Sequence, residues 1–488
     1  MKQATGVGGN GPNHMLDRSR IALQDDFLRA AVRYTADRLR DKKQASTEEL
    51  GHWEAWRERG RAIRAHTINH LDGYLKQFAD HVRHAGGHVH FANDAKEAVA
   101  SVMQIVREKQ ARSVVKSKSM VSEEIHVNDA LTEAGIEVVE TDLGEYIVQL
   151  AGETPSHIII PAIHKTREQI KALFTAAGGE NLTTETKVLA GFARQTLREK
   201  FLAADVGITG CNFGIAESGT VVLFTNEGNA DMVTNLPKTH IVLMGMERLL
   251  PTFADLEVLA HLLPRSATGQ KLTTYMSMVT GPRRPGEKDG AEELHIVILD
   301  NGRSEQLGNG GYQEILHCIR CGACLNVCPV YRQVGGHAYG SVYPGPIGAV
   351  LTPLLMQGPA YEDLPFASSL CGACYEACPV KIPIHDMLVH LRARKVRSGR
   401  VSKAEQWAFR GYKVVFSNHR RYRLALKAGR LFQQPWVQDG YSKARFGPLA
   451  GWTDSRYAPA LKNESFRDKW ASIAPTLNTK PTRQGGDT

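Results

Sequence analysis

The chain has 488 residues, of which 42% are apolar and 23% charged, and its formal net charge is +9. This composition excludes a wholly disordered or fibrous protein. No apolar run reaches the roughly 18 residues that a membrane-spanning helix needs, and the first residues contain no apolar signal segment. We therefore expect several domains and a cytoplasmic location.

Residues 1–85 are predicted to form a helical N-terminal segment. Apolar side chains recur there at helical spacing: Trp53, Trp56, Ile63, Ile68, Leu71 and Leu75. The stretch Gly6–Gly11 matches the pattern G-x-G-x-x-G. Because no strand precedes it, we interpret it as a flexible terminus rather than a nucleotide-binding loop.

Residues 86–302 are predicted to form an α/β domain with a doubly wound sheet, because strand and helix patterns alternate. The predicted strands are 87–91, 113–116, 136–140, 157–163, 219–224, 240–244 and 295–299. A long helical zone is predicted between the fourth and fifth of these, from Arg167 to Leu202.

Loops of this domain are candidates for a binding cleft, because ligands of such sheets lie beyond the carboxyl ends of the strands. The loops that combine carboxylates, lysines and glycines are 116–120, 140–145, 217–219, 226–229 and 280–284. Glu217 and Glu227 flank one strand and are weak candidates for a catalytic acid, base or nucleophile. The alternative is that both are simply exposed.

Residues 303–390 contain seven of the eight cysteines in two clusters. The first has the spacing C-x₂-C-x₂-C-x₃-C-P and comprises Cys318, Cys321, Cys324 and Cys328. The second repeats it with Cys371, Cys374 and Cys378, but Ser368 stands where the first cysteine would be. This spacing is typical of iron–sulfur proteins with two clusters. Structural zinc is the alternative, although zinc sites usually comprise two separated C-x₂-C pairs.

In two-cluster ferredoxins the fourth cysteine of each motif binds the other cluster. This crossover gives cluster 1 four ligands, which are Cys318, Cys321, Cys324 and Cys378. Cluster 2 is left with Cys328, Cys371 and Cys374. We expect two clusters of the [4Fe-4S] type.

Three alternatives are open for the incomplete second set. Cluster 2 is a three-iron [3Fe-4S] cluster, or it carries Ser368 or solvent as a non-cysteine fourth ligand, or Cys211 reaches it from the preceding domain. A free buried thiol is the plainer interpretation of Cys211. An open iron position would also be a Lewis-acid site for a hydroxy acid.

Residues 391–488 form a basic, helical tail with 21 Lys and Arg against 6 Asp and Glu. Helical stretches are predicted near 403–416 and 420–432. The tail contains Trp407, Trp436, Trp452 and Trp470, which favours docking over free disorder. Such a tail suits an acidic partner or an anionic membrane surface. No nucleic-acid-binding module accompanies it, so we expect no nucleic-acid partner.

Taken together, these features resemble the lactate utilization protein B family over most of residues 60–400. The matching stretches are 116–120, 140–149, 155–157, 226–229, 299–303 and both cysteine motifs. The resemblance implies that residues 86–302 are a LUD domain, with a fold similar to the sugar-isomerase and CoA-transferase group. It also implies an α-helical ferredoxin-type domain in which the second motif has three cysteines.

The family acts with two companion proteins to oxidise L-lactate to pyruvate, so the resemblance implies an iron–sulfur electron-transfer subunit. The chain itself is expected to be a non-catalytic or co-catalytic subunit of that oxidoreductase complex. Its electron acceptor would belong to a membrane quinone pathway, which would place the protein at the inner face of the membrane. The alternative is that the LUD cleft itself performs acyl or hydroxy-acid chemistry, with the clusters as an accessory or Lewis-acid site.

Overall fold

The computed structural model describes residues 14–356, 358–442, 453, 456–462 and 464–477, and Gly6–Gly11 lies outside them. The chain divides into two compact units after Lys395. Within the described residues, no helix is both long and apolar enough to cross a membrane.

The N-terminal helices belong to the larger unit and share its main hydrophobic core. They are α1 (Met15–Ala22), α2 (Asp26–Leu50), α3 (Trp53–Asn69) and α4 (Leu71–His84). Asp25 caps α2 by accepting a hydrogen bond from the amide of Leu28. Val32, Ile63 and Phe78 pack in one core with the cysteine-containing region. The predicted helical segment is therefore a packed layer over that region.

A six-stranded sheet forms the centre of the α/β domain, with all neighbours parallel and the order β1-β10-β7-β4-β2-β3. Its strands are β1 (His88–Ala92), β2 (Ser113–Lys116), β3 (Glu137–Glu140), β4 (Val206–Thr209), β7 (Thr239–Gly245) and β10 (Glu293–Leu299). Ile241 and Leu243 face one core, while Val242 and Met244 face the other. Both faces of the sheet are thus covered, as parallel sheets require.

Helices cover both faces of this sheet. They are α5 (Ala95–Glu108), α6 (Met120–Glu124), α7 (Val127–Glu133), α8 (Leu143–Ala151), α9 (Arg167–Ala176), α10 (Thr186–Ala203), α11 (Asn229–Asn235) and α12 (Phe253–Ala267). The predicted helical zone from Arg167 to Leu202 consists of two helices, α9 and α10. Gly178 separates them, because its φ of +98° lies in the left-handed region that ends a helix.

A second, four-stranded sheet with the order β8-β5-β6-β9 packs against the N-terminal helices. It comprises β5 (Phe213–Ile215), β6 (Thr220–Thr225), β8 (Leu249–Leu250) and β9 (Tyr275–Val279). Only β6 was predicted, because the other strands are too short or too irregular to show a period of two.

The predicted strand 157–163 was wrong, since this apolar stretch forms a series of turns. Pro161 lacks the amide that a strand ladder needs. The Nδ1 atom of His157 accepts hydrogen bonds from the amides of Ile159 and Ile160. These two donors are thereby withdrawn from any sheet.

The cysteine-containing region is helical, as expected for an α-helical ferredoxin-type domain. Its helices are α13 (Ala323–Val327), α14 (Tyr331–Val334), α15 (Gly345–Leu355), α16 (Ala373–Ala377) and α17 (Ile384–Arg397). Leu325, Tyr331, Tyr339 and Leu388 lie fully buried in the main core.

The smaller unit contains helices where the tail was predicted to be helical. They are α18 (Lys403–Phe416), α19 (His419–Gln433) and a last helix, Phe466–Leu477. A small antiparallel sheet combines β11 (Val437–Gln438), β12 (Tyr441–Ser442) and β13 (Ala458–Pro459). Trp407, Trp436 and Trp470 are exposed on this unit, and Trp452 lies outside the described residues.

Candidate functional site

The two cysteine motifs adopt the same local structure. In each motif, the residue directly before Cys321 or Cys371 has a positive φ, which is +59° at Arg320 and +55° at Leu370. Gly322 and Gly372 follow at φ +73° and +79° and precede the five-residue helices α13 and α16. The sequence repeat is therefore also a structural repeat.

Ser368 occupies the place in the second motif that Cys318 occupies in the first. The Sγ atom of Cys318 accepts a hydrogen bond from the amide of Arg320 at 3.4 Å. The Oγ atom of Ser368 accepts one from the amide of Leu370 at 3.1 Å. The serine oxygen is thus oriented by the same backbone contact as the cysteine sulfur.

The cysteines assigned to cluster 1 come together in the structure. They line one cavity, which is otherwise largely apolar: Cys318, Cys321, Cys324 and Cys378. Cys328 and Cys374 both lie near enough to Cys371 for its thiol to influence theirs. Further amide donors point at sulfur, from Tyr331 to Cys328 and from Ile382 to Cys378. Amide-to-sulfur hydrogen bonds of this kind tune iron–sulfur clusters.

The grouping of these thiols, rather than their burial, favours ligation over free cysteine. Burial raises the pKa of Cys321 and of Cys374 to about 12, so neither would ionise at neutral pH without a metal. A soft, buried thiolate set with its own amide donors fits iron–sulfur clusters. Among the seven motif cysteines, Cys371 is exposed, Cys318 is partly exposed and the other five are buried.

The N-terminal helices hold the segment around Cys378. Arg57 of α3 donates from Nε to the carbonyl of Cys378 at 2.9 Å and from Nη2 to that of Tyr375 at 2.7 Å. Lys43 of α2 donates to the carbonyl of Ala377. Burial lowers the pKa of Lys43, while the nearby thiols of Cys321 and Cys378 act in the opposite direction. These cations therefore lie beside the cluster 1 cysteines.

A buried network of charges connects the α/β domain to the first motif. Arg303 pairs with Glu124 at 2.8 Å and with Glu247 at 2.7 Å, and Arg320 lies 3.4 Å from Glu247. Burial alone would raise the pKa of Glu247, but Arg303, Arg248 and Arg320 outweigh it and lower the pKa to about 2. Glu247 is therefore ionised and serves as the shared counter-charge for these arginines.

A cleft of about 260 Å³ lies at the carboxyl ends of the parallel strands, next to the first cysteine motif. Residues that follow β2, β3, β4 and β7 line it, as expected for this fold. Of the five loops proposed from sequence, 116–120, 140–145 and 226–229 contribute to its lining, whereas 217–219 and 280–284 do not. Ile158 and Arg320 line both this cleft and the cavity of the cluster 1 cysteines.

The structure separates the two candidate glutamates. Glu217 is exposed, lies outside the cleft lining, and accepts a hydrogen bond from the amide of Phe253 at the start of α12. Glu227 lines the cleft and accepts a hydrogen bond from the amide of Leu143. Although Glu227 is exposed as a residue, desolvation of its carboxyl and the nearby Asp142 raise its pKa to about 7.

The two lysines of loop 116–120 have different surroundings. Lys116 is fully buried, and its Nζ lies 2.6 Å from Glu123 and 2.7 Å from Glu140. Lys118 lines the cleft, and its Nζ has no hydrogen-bond partner among the described residues. Lys116 therefore stabilises the fold, whereas Lys118 is available to a ligand.

Cys211 also lines the cleft, rather than lying with the cysteines of the second set. The groups that influence its thiol are Arg248, Glu247 and the backbone of Val222. Burial raises the pKa of Cys211 to about 12. These surroundings favour the interpretation of Cys211 as a free thiol.

Sequence reasoning missed the cations around both sites. Arg57 and Lys43 belong to a segment that offered only helical periodicity, and their partners are more than 300 positions away. Arg248 ends the short 3₁₀ turn that follows β7, so its position shortly after a buried strand was a usable signal. Arg320 lies within the first cysteine motif, but the ligand spacing that identifies the motif does not depend on its charge.

Three family models match the chain. They describe a LUD domain over residues 75–299, a 4Fe-4S dicluster domain over 314–382, and the C-terminal region of lactate utilisation protein B over 391–472. The chain thus contains a LUD domain followed by an iron–sulfur domain. The basic tail corresponds to the third match.

Full-length relatives are also similar. Lactate utilization protein B of Shouchella clausii is 53% identical over 447 residues, which cover 91% of this chain and 94% of the relative. The proteins of that name from Oceanobacillus iheyensis and Geobacillus thermodenitrificans are each 52% identical, covering 93% and 91% of this chain and 95% and 94% of the relatives.

One solved structure, a duf162 family protein from Deinococcus radiodurans, covers 47% of this chain and 98% of its own at 13% identity. Its TM-score of 0.27 is too low to support any argument.

Proposed function

The chain belongs to the lactate utilization protein B family, and we propose that it is the iron–sulfur electron-transfer subunit of a complex that oxidises L-lactate to pyruvate. Two clusters of the [4Fe-4S] type would supply one-electron carriers for the two electrons that this oxidation releases. The observation that supports the proposal most is that the two cysteine sets are neighbours, since the thiol of Cys374 influences that of Cys324.

The surroundings of the two cysteine sets support a direction for electron transfer through the chain. The first set, completed by Cys378, lies beside the cleft and beneath the N-terminal helices. In the second set, Cys371 is exposed, and the exposed side chains of Phe366 and Leu370 are its neighbours in sequence. Arg392 lies 5.2 Å from the ring of Phe366. We infer that electrons enter beside the cleft and leave near Cys371.

The partners of this function are the companion lactate-utilization subunits and an electron acceptor. An acidic docking surface on a partner would suit Arg392 and Lys395, which both lie over the ring of Phe366. The basic tail would suit an acidic protein or an anionic membrane. We propose a cytoplasmic protein that associates peripherally with the membrane when its acceptor belongs to a quinone pathway.

We also propose that Ser368 completes the ligand set of Cys328, Cys371 and Cys374. Support comes from the matching hydrogen bonds at Ser368 and Cys318. The substitution S368C should increase the iron retained per chain, and S368A should lower it and convert the second EPR signal to that of a three-iron cluster. Unchanged iron content and spectra in S368A would exclude the serine as a ligand.

A second candidate function is chemistry in the cleft itself, with Glu227 as acid or base. The raised pKa of Glu227 favours it. Glu217 has little support, because it lies outside the lining of the cleft. The substitution E227Q separates the two functions, since a relay would keep its rate of cluster reduction by companion subunits, whereas cleft catalysis would lose turnover.

The main test is EPR spectroscopy of anaerobically purified protein with companion subunits and L-lactate. We expect reduction of both clusters, loss of one signal in C378S, and loss of the other in C371S. C211S is the matched control and should resemble the wild type. Failure of lactate to reduce either cluster in the presence of the companions would contradict the relay.

A further inference from the structure

The cleft between the parallel sheet and the first cysteine motif contains cations that lack full partners. Arg248 and Arg320 line it, and their side chains are only 6% and 8% exposed. The Nε atom of Arg248 and the Nε and Nη1 atoms of Arg320 have no hydrogen-bond partner among the described residues. Buried guanidinium groups in this state favour a bound anion, because an unpaired buried donor is costly.

The buried carboxylates nearby are too few to balance these charges. Glu247 is shared by Arg303, Arg320 and Arg248, whose Nε atom lies 3.8 Å from it. Arg64 is also buried nearby and donates only to backbone carbonyls. The cysteines of cluster 1 offer negative charge on one side of this group, but a second cation, Lys118, lines the cleft independently of them.

Lys118 places a further positive charge at the lining of the cleft. Its Nζ is buried without a hydrogen bond, and the nearest carboxylate oxygen, on Glu145, lies 3.7 Å away. Burial raises the pKa of Glu145 to about 8, so that this neighbour is largely protonated at neutral pH. Lys118 influences the carboxyls of Glu145 and Glu227 and the imidazole of His157.

The two sides of the cleft differ in chemistry. Arg248 lies near Cys211 on one side, while Glu227 lies with Asp142 and Lys118 on the other. The Oδ1 atom of Asp142 is already used to cap α8. Desolvation raises the pKa of Glu227 to about 7, so its carboxyl can donate a hydrogen bond as well as accept one. A ligand with a carboxylate and a second oxygen would satisfy both sides.

We propose that this cleft binds a small carboxylate anion of the 2-hydroxy-acid or 2-oxo-acid class, with Arg248, Arg320 and Lys118 facing its negative charge. The choice of acid class rests on the proposed function, whereas the anion site rests on the geometry alone. The cleft volume of about 260 Å³ is ample for such an acid. Binding here would place the acid next to the loop that carries Cys318 and Cys321.

The test is a calorimetric titration of the anaerobic, oxidised holoprotein with pyruvate, L-lactate, propionate and inorganic phosphate. We expect saturable binding of pyruvate and L-lactate at one site per chain. Propionate should bind several-fold more weakly, because it lacks the second oxygen. Binding of phosphate without competition by pyruvate would overturn the assignment of the acid class.

Two substitutions test whether the cationic residues of the cleft bind the anion. K118Q should weaken pyruvate binding at least tenfold while iron content and EPR spectra stay unchanged, because the charged neighbour of Lys118 is Glu145 and not a group of the cysteine motifs. R248Q should weaken it further, but Arg248 also donates to the carbonyl of Cys318, so its iron content must be measured alongside. R107Q, an exposed change of the same charge on α5, is the control and should bind as the wild type does.

The outcomes distinguish this site from the relay. The site is refuted if pyruvate and lactate show no saturable binding, or if K118Q binds pyruvate as tightly as the wild type. The relay is refuted if companion subunits and lactate fail to reduce the clusters although pyruvate binds the cleft. Reduction of the clusters without any binding in the cleft would leave the relay standing and place lactate binding on a companion.

Discussion

Removing the charge of Glu247 should destabilise the protein strongly, because this carboxylate neutralises buried arginines. Its side chain is 2% exposed, and Arg303 and Arg320 lie 2.7 and 3.4 Å away. The arginines lower the pKa of Glu247 to about 2, from an ordinary value of 4.5. At roughly 1.4 kcal/mol per pKa unit, this shift corresponds to about 3 kcal/mol of stability.

The perturbation is E247Q, which keeps the shape of the side chain but places an amide NH₂ group or a neutral oxygen against the guanidinium groups. Breaking one partner of a buried ion pair typically costs about 3–5 kcal/mol, in agreement with the value from the pKa. We expect the free energy of unfolding, measured by urea titration of the anaerobic protein, to fall by about 3 kcal/mol. E133Q, an exposed change of the same charge on α7, should have little effect.

The pH dependence gives a second check on the same group. Because the folded-state pKa of Glu247 is depressed, its contribution is fully present above pH 4.5 and is lost as the pH falls towards 2. The E247Q variant should lack that part of the acid sensitivity. If E247Q and E133Q unfold within a few tenths of a kcal/mol of each other, the network does not act as described.

Three further changes probe the cluster region and the domain beside it. R57Q removes the donors to two carbonyls around Cys378, so purified R57Q should lose iron several-fold faster than the wild type on dilution into a chelator, while the exposed neighbour variant R59Q should not. K116M leaves two carboxylates unpaired and should lower the free energy of unfolding by about 3–5 kcal/mol in urea, and a loss below 1 kcal/mol would contradict the assigned role. Burial lowers the pKa of His157 to about 4, so the wild type should lose stability as the pH falls from about 6.5 to 4, and H157N should show a flatter stability profile by urea titration across that window.

The sequence predicted the parts of this protein that repeat or alternate. Five of the six parallel strands were recognisable, because residues such as Ile241–Leu243 form continuous apolar runs, whereas β4 was not predicted. The two cysteine motifs were recognisable because ligand spacing is local. The stretch after His157 does not form a strand, because the imidazole of His157 binds two of its amides and Pro161 has none to donate. A hydropathy pattern does not show such hydrogen bonds.

The cleft was only partly predictable for a similar reason. Loops 116–120 and 226–229 were expected because they follow predicted strands and carry charged residues or glycines. Arg320, which lines the same cleft, comes from the cysteine region. The covering of the cluster 1 cysteines by α3 depends on contacts across more than 300 positions, such as that of Arg57 with Cys378. Contacts of this kind arise from tertiary packing and leave no trace in local periodicity.

The solvent exposure of Cys371 has a consequence for how dioxygen damages the protein. Cys371 is open to solvent, whereas Cys321, Cys324 and Cys378 of the first set are buried and less accessible to dioxygen. Oxidative damage should therefore begin at the second set and proceed inward. A partner that covers Cys371 would then act as a shield against dioxygen as well as an electron acceptor, and the complex would outlive the isolated chain in air.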